Sequence, residues 1–386
     1  MKLQRIQRRA LGLWLIALGT LSAQTPPFDS GSTGVDLALE PTASLTIALP
    51  PSGILNYTRV SIPRNVEVTF TRNEANTPVY LLASGDVIIE GWINVSGQTG
   101  TFLRGGFGGP GGFDGGMPGI AGSQPGDGLG PGGGKGSVVA ASVGRGVYST
   151  PSPISPRPTD GGVYGSALLM PLIGGSGGGG SPGIGGGGRG GAILIASSTK
   201  IVLAQNGGVY ANGAAGNGSG EIWGSGGAIR LVAPEIAGRG RLDVMGPGGQ
   251  WNAGRIRCDC IERRDFALLF LPSTVVSASD AFMATFVPNL PTLRLVQVAG
   301  IDVPLAATTR FTALLPLGTP ASQTVVLEAS GFGAQVPVEV RHTPSRGGAS
   351  VSAPVVIDNT APGAARATIA VTLPANQAVV VEAWTR

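Results

Sequence analysis

Hydrophobic and polar residues alternate along this chain in short runs closed by proline, asparagine or glycine. Leu45-Ile47-Leu49, Val60-Ile62 and Val66-Val68-Phe70 are the first of these runs. A period of two sets one row of side chains on each face of a strand. No stretch beyond the first 23 residues carries the 3.6-residue period of an amphipathic helix, so the pattern predicts an all-β protein.

Longer matches organise these runs. The segments Val79 to Gly97, Gly190 to Gly213 and Gly226 to Gly246 end in the same spaced pattern: Gly91-Ile93-Val95-Gly97, Gly207-Val209-Ala211-Gly213 and Gly240-Leu242-Val244-Gly246. Earlier positions match as well: Val79-Leu81-Ala83, Ile193-Ile195-Ser197 and Ile229-Leu231-Ala233. A partial fourth copy runs from Gly254 to Cys260 and puts Ile256, Cys258 and Cys260 at the aliphatic places. Two or three short strands joined at glycine corners form a turn of roughly 20–25 residues, within the range of known repeat units. One turn cannot bury its inner face, but stacked turns can. The expectation is a right-handed parallel β-helix, with the hand taken from the preference of parallel crossovers. Trp92, Asn94, Tyr210, Arg241 and Asp243 then point away from the core.

A glycine-rich insertion, about residues 100–188, separates the first and second copies. Its composition is that of a linker, but it interrupts the repeat at a post-strand corner. It is therefore expected to leave one edge of the stack as a long loop, partly ordered against its face. After Arg263 the repeat ends. Seven strand candidates follow: Leu293–Val298, Phe311–Leu315, Thr324–Ala329, Val336–Arg341, Val355–Asp358, Ala367–Leu373 and Ala378–Trp384. Their spacing suggests a small antiparallel sandwich resembling immunoglobulin or fibronectin modules, without the Cys–Trp–Cys hallmark. The expected layout is a linker over 24–36, the repeat over 37–263, a connection or cap over 264–290 and the sandwich over 291–386.

Composition alters this picture at the amino end. Residues 1–23 hold Lys2, Arg5, Arg8 and Arg9, then the apolar run Ala10 to Leu21 and a small-residue site at Ser22-Ala23, as an export signal does. Those four bases account for the formal charge of +4, and the rest of the chain balances 22 bases against 22 acids. A basic balance is thus no argument for nucleic acid. With 12% charged residues and 66 glycines the chain is neither a solvated disordered polymer nor, lacking a sustained triplet frame, a collagen. The expected location is secreted or otherwise extracytoplasmic, with no membrane anchor once the signal is removed.

The stretches ANTPVYLLASGDVIIEGWINVSGQTG, GGGGRGGAILIA, GGAIRLVAPEIAGRGRLDVMG and AGRIR resemble a loose group of exported, glycine-rich bacterial β-helix proteins of unassigned activity. The resemblance covers about residues 54–262. It implies an architecture and supplies no functional residues.

Chemistry is sparse. His342, the single histidine, reads as an ordinary surface residue at a strand end, and no nucleophile elbow accompanies it. Cys258 and Cys260 read as core thiols, because a zinc site needs three or four ligands and no second pair exists. Gly112-Phe113-Asp114-Gly115 and Gly126-Asp127-Gly128 touch a calcium-loop pattern without repeating it. No catalytic residue, metal ligand or cofactor is assigned. The ligand-facing candidates are Trp92, Tyr210, Arg241, Asp243 and Asp259, with the last two acids and Arg241 or Arg257 as the best available cluster. Trp223 and Trp251 are further aromatic candidates. The sequence points to a non-catalytic structural or adhesive protein, with polysaccharide or surface and matrix components as partners. A polysaccharide hydrolase or lyase, or a carbohydrate-binding protein, on the same scaffold is the alternative.

Overall fold

The computed structural model describes residues 28–120, 122–151, 156–217, 222–263, 265–280, 282–304 and 311–385. The export-signal segment, residues 1–23, lies outside them. The described residues are all-β, with two short 3-10 turns and no α-helix. None of their helices is long and apolar enough to cross a membrane.

The first part of the chain forms three parallel sheets that it visits in rotation. Sheet A contains β1 (Ala38–Leu39), β4 (Arg59–Ile62), β7 (Val87–Ile89), β10 (Lys200–Leu203) and β13 (Glu235–Gly238). Sheet B contains β2 (Leu45–Ala48), β5 (Glu67–Thr71), β8 (Trp92–Asn94), β11 (Gly208–Tyr210), β14 (Arg241–Asp243) and β16 (Leu269–Leu271). Sheet C contains β3 (Ile54–Tyr57), β6 (Val79–Ala83), β9 (Ala192–Ser197), β12 (Ala228–Val232), β15 (Arg255–Asp259) and β17 (Val276–Ser279). Each strand from β1 to β12 pairs with the strand three places later, an arrangement consistent with a β-helix. The register equals the repeat alignment: Ile93, Val209 and Leu242 are partners, as are Leu81, Ile195, Leu231 and Cys258. These side chains are fully buried in one core that runs from Leu39 to Leu268.

The parallel sheets extend past Arg263. Residues 264–290, expected to be a connection or cap, contribute β16 and β17, which pair in parallel with β14 and β15. Leu269, Phe270 and Leu271 lack the glycine spacing of the earlier copies, so the pairing is set by the neighbouring strand and not by a repeat motif.

Every long glycine-rich stretch leaves at the same place, between a sheet B strand and the next sheet C strand. The insertion after β8 is the longest of these excursions, and its backbone hydrogen bonds advance by three residues. Gly97 and Gly100 donate to Asn212 and Ala215, Gly106 and Gly109 to Gly186 and Arg189, and Gly116 and Gly119 to Gly178 and Ser181. Gly185, Gly188 and Gly191 donate to Thr101, Gln98 and Val95, which run the opposite way. A step of three on both partners is the signature of extended, three-residue-per-turn strands lying side by side. Glycine allows this spacing, since a Cβ on Gly106 would overlap the carbonyl of Gln98 and one on Gly190 that of Ala211. The expected loop is therefore a hydrogen-bonded bundle that satisfies its own backbone groups.

One flank of the bundle covers the outer face of sheet C. Tyr148, Leu169 and Leu172 are buried against Leu82, Leu194, Ala196 and Val232. The Tyr148 and Tyr164 rings stack with centroids 4.6 Å apart. Both faces of β9 and β12, in the middle of sheet C, are thus buried, which is why β9 (AILIAS) is apolar along almost its whole length.

The carboxyl-terminal part forms two antiparallel sheets. The first is ordered β19 (Ile301–Asp302), β18 (Thr292–Val298), β20 (Ser322–Ser330) and β24 (Ala364–Thr372). In the second, β21 (Gln335–Pro344) pairs with β22 (Ser350–Val351), β23 (Val355–Asp358) and β25 (Val379–Thr385). Val325, Leu327, Val338, Val340 and Ile369 are buried between them, as in a sandwich. The strand expected at Phe311–Leu315 does not form. Among the described residues no neighbour pairs with that segment, Pro316 ends it, and Leu314 is 89% exposed.

Candidate ligand-binding face

The strands of sheet B position the candidate face. Alternation sends Ile93, Val209 and Leu242 into the core and leaves Trp92, Asn94, Tyr210, Arg241 and Asp243 on the outer side. Parallel pairing sets these residues in two cross-strand rows. Trp92, Gly208 and Arg241 form one row, and Asn94, Tyr210 and Asp243 form the other. Tyr210 leans over the glycine: a Cβ at Gly208 would lie 2.9 Å from Tyr210 Cε2 and 3.0 Å from its hydroxyl oxygen. The phenol ring therefore fills the step between the indole and the guanidinium.

The polar groups hold these side chains in place. Arg241 is ion-paired with Asp243, and its guanidinium carbon lies 5.7 Å from the centroid of the Tyr210 ring, within cation–π range. Asp243 is almost wholly buried and also accepts from the Met245 amide at 3.1 Å, whereas Arg241 remains 39% exposed. Trp92 Nε1 donates to the Asn206 carbonyl at 3.1 Å, and Asn94 Nδ2 donates to Glu67 Oε1 at 2.7 Å. Thr46 and Thr69 continue the ladder with hydroxyls 2.7 Å apart. Burial raises the Tyr210 phenol, with Arg241 opposing and Asp243 and Glu67 adding, so the ring remains a neutral hydroxyl donor.

Four of the five ligand-facing candidates therefore meet on one face. Asp259 does not join them. It lies on β15 of sheet C, fully buried beneath the cover, where Arg230 Nε and Arg257 Nε each donate to its Oδ2 at 3.0 Å. Burial lowers the Arg230 pKa, and the Asp259 carboxylate opposes that shift. The proposed cluster of Asp243, Asp259 and Arg241 is thus split between two sheets. Residue alternation was legible in the sequence, but which sheet each strand joins, and what covers it, was not.

The remaining candidates also find places. Cys258 and Cys260 are buried and free in the main core, and burial pushes both thiols up. Trp223 packs on Gly248, away from the sheet B face. Asp114 accepts from the Gly108 amide at 2.8 Å and pairs with Arg72 at 2.6 Å. Asp127 accepts from the Gly136 and Ala349 amides at 2.7 and 3.0 Å, so both glycine-flanked acids brace backbone. Among the described residues no group of three or more His, Cys, Asp or Glu is placed to hold a metal.

Two residues depart from the sequence reading. His342 is not a surface residue but 7% exposed, because it continues the inward row Val336, Val338 and Val340 of β21. That parity was visible in the sequence. Arg189 is fully buried among the glycines, where its Nη1 donates to the Trp223 carbonyl at 3.2 Å and burial draws its pKa well down. Nothing in a glycine run signals that its one arginine is enclosed.

The chain matches no protein-family model, no curated protein and no solved structure.

Proposed function

We propose that this chain is an exported, non-catalytic protein: a right-handed parallel β-helix, with an immunoglobulin- or fibronectin-like sandwich docked on it, that binds extended polysaccharide or matrix polymer through sheet B. The observation that carries this reading is the juxtaposition of Trp92, Tyr210 and Arg241 on the outer face of three adjacent parallel strands. Ring faces take the apolar faces of sugars, while the phenol, the guanidinium and Asn94 supply the few directed polar contacts that a binding surface needs. From Trp92 to Arg241 is two strand spacings, about 10 Å, so a polymer lying across the strands would meet the groups in succession. The export signal read in residues 1–23 supports a location where such polymers occur.

Carboxylate placement favours binding over cleavage. The outward acids of this face, Glu67 on β5 and Asp243 on β14, are three strand spacings apart, about 14 Å. Glycosidase pairs sit about 5–9.5 Å apart, and Asp243 is already neutralised by Arg241. The test is glycan- and matrix-array binding by the purified protein, alongside Trp92→Ala and Tyr210→Ala. Retention on an extended polymer, weakened about tenfold or more by either substitution without loss of thermal stability, is expected. Binding indifferent to both substitutions, or release of new sugar ends, would overturn the proposal, the latter in favour of a hydrolase or lyase.

A further inference from the structure

The sandwich holds a second cleft, independent of the sheet B face. It opens at the end of the sandwich core, between β21–β22 and the end of β24, with a volume of about 510 Å³. That is within the range of small-molecule sites. Buried Val371 and Leu373 make its apolar floor, exposed Val351 stands at its side, and its polar groups include His342, Arg346 and Ser350.

The imidazole is the anomaly. Val336, Val338 and Val340 fill the inward row of β21, and the next inward place is occupied by His342, the only histidine of the chain. A stability-driven core would put another aliphatic there. His342 is 7% exposed, and its Nδ1 is enclosed, out of reach of the cleft, with no hydrogen-bond partner among the described residues. Burial also lowers its pKa, so the ring is neutral near pH 7 and offers one N–H donor. Arg346 stands exposed at the rim with no ion pair among the described residues, and its backbone amide is fixed by Gln377 Oε1 at 3.1 Å. Among the described residues no Asp or Glu lines the cleft.

A cleft with an apolar floor, one guanidinium, an unbonded imidazole and no carboxylate is complementary to a compact anion with an apolar face. We infer that this cleft binds a small ring-bearing carboxylate. Arg346 takes the carboxylate as a charge-assisted donor, His342 supplies its Nε2–H to the same group or to a hydroxyl beside it, and the ligand's ring lies on Val371 and Leu373. An acidic sugar and an aromatic acid share this chemistry.

The single histidine makes the test direct, because the full chain gives one imidazole signal in heteronuclear NMR. Galacturonate and benzoate serve as the two carboxylates, with galactose and benzamide as their neutral counterparts. A saturable shift of the imidazole signal is expected with at least one carboxylate and not with its neutral counterpart, and whichever acid responds identifies the source. Arg346→Gln should weaken that binding about ten- to a hundredfold, the equivalent of one charge-assisted hydrogen bond. By calorimetry, His342→Phe, which fills the place with an apolar ring, should retain the fold and lose the binding. Trp92→Ala should leave it unchanged, which separates this site from the polymer-binding face. No saturable shift with either acid, an equal response to the neutral compounds, or full affinity in Arg346→Gln would overturn the assignment.

Discussion

Replacing Gly174 by alanine tests whether the glycine insertion is a packed bundle. Its amide donates to the Gly111 carbonyl at 2.9 Å. A Cβ built there would lie 2.7 Å from Gly112 Cα, 2.8 Å from Gly111 O and 2.8 Å from Gly190 O. All three atoms are backbone, on two neighbouring strands, so none can swing aside as a side-chain tip would. Restoring ordinary contact near 3.5 Å requires a displacement of roughly 0.7 Å against all three at once. Overpacking of this kind costs about 1–3 kcal/mol, and the reduced freedom of the unfolded chain returns about 0.4–1 kcal/mol. The net expectation is a loss of about 1–2 kcal/mol, or a fall in Tm of about 1–3 °C if the chain unfolds cooperatively. Gly162 is the internal control. It lies in the same insertion, has no atom within 4 Å of its ideal Cβ and does not adopt a positive φ. Gly162→Ala should therefore be neutral or slightly stabilising. Urea unfolding would give the free energies, and hydrogen exchange would show whether amides 106–191 lose protection in Gly174→Ala alone. Equal stability and equal protection in both variants would refute the bundle.

Two further expectations concern buried ionisable groups. Glu382 on β25 accepts from the Gly130 amide at 2.9 Å and faces Arg341 across the strand pair, where the sandwich rests on the bundle. Burial raises its pKa above the ordinary 4.5, with Arg341 and the Gly130 amide opposing. The folded state thus holds the Glu382 proton more tightly than the unfolded state does, so this group's contribution to stability falls as pH rises above about 4.5. Glu382→Gln keeps an acceptor for Gly130 and should flatten that fall. Parallel urea-midpoint curves for the two proteins from pH 4 to 8 would refute the placement. Cys258 and Cys260 have raised pKa values and no exposed sulfur path in the core, so a thiol reagent should label them only on unfolding. Rapid labelling of the native protein would contradict the buried register of β15.

The sequence by itself determined the core-facing rows of the glycine-framed copies and the register among them, though not β16 and β17. Alternation fixes which side chains face the core, and the glycine-framed copies aligned Ile93 with Val209 and Leu242 before any neighbour was known. It also placed Cys258 and Cys260 in the aliphatic row. Tertiary structure decided what lies outside that core. Asp243 and Asp259 occupy similar outward positions in sequence, yet one lies on the sheet B face and the other beneath the cover of sheet C. Period-two alternation distinguishes in from out but not open from covered. The glycine insertion shows the same limit. Its composition reads as a linker because glycine has no side chain to report a packing partner. The property that makes it a bundle, close approach without a Cβ, exists only once another strand lies alongside.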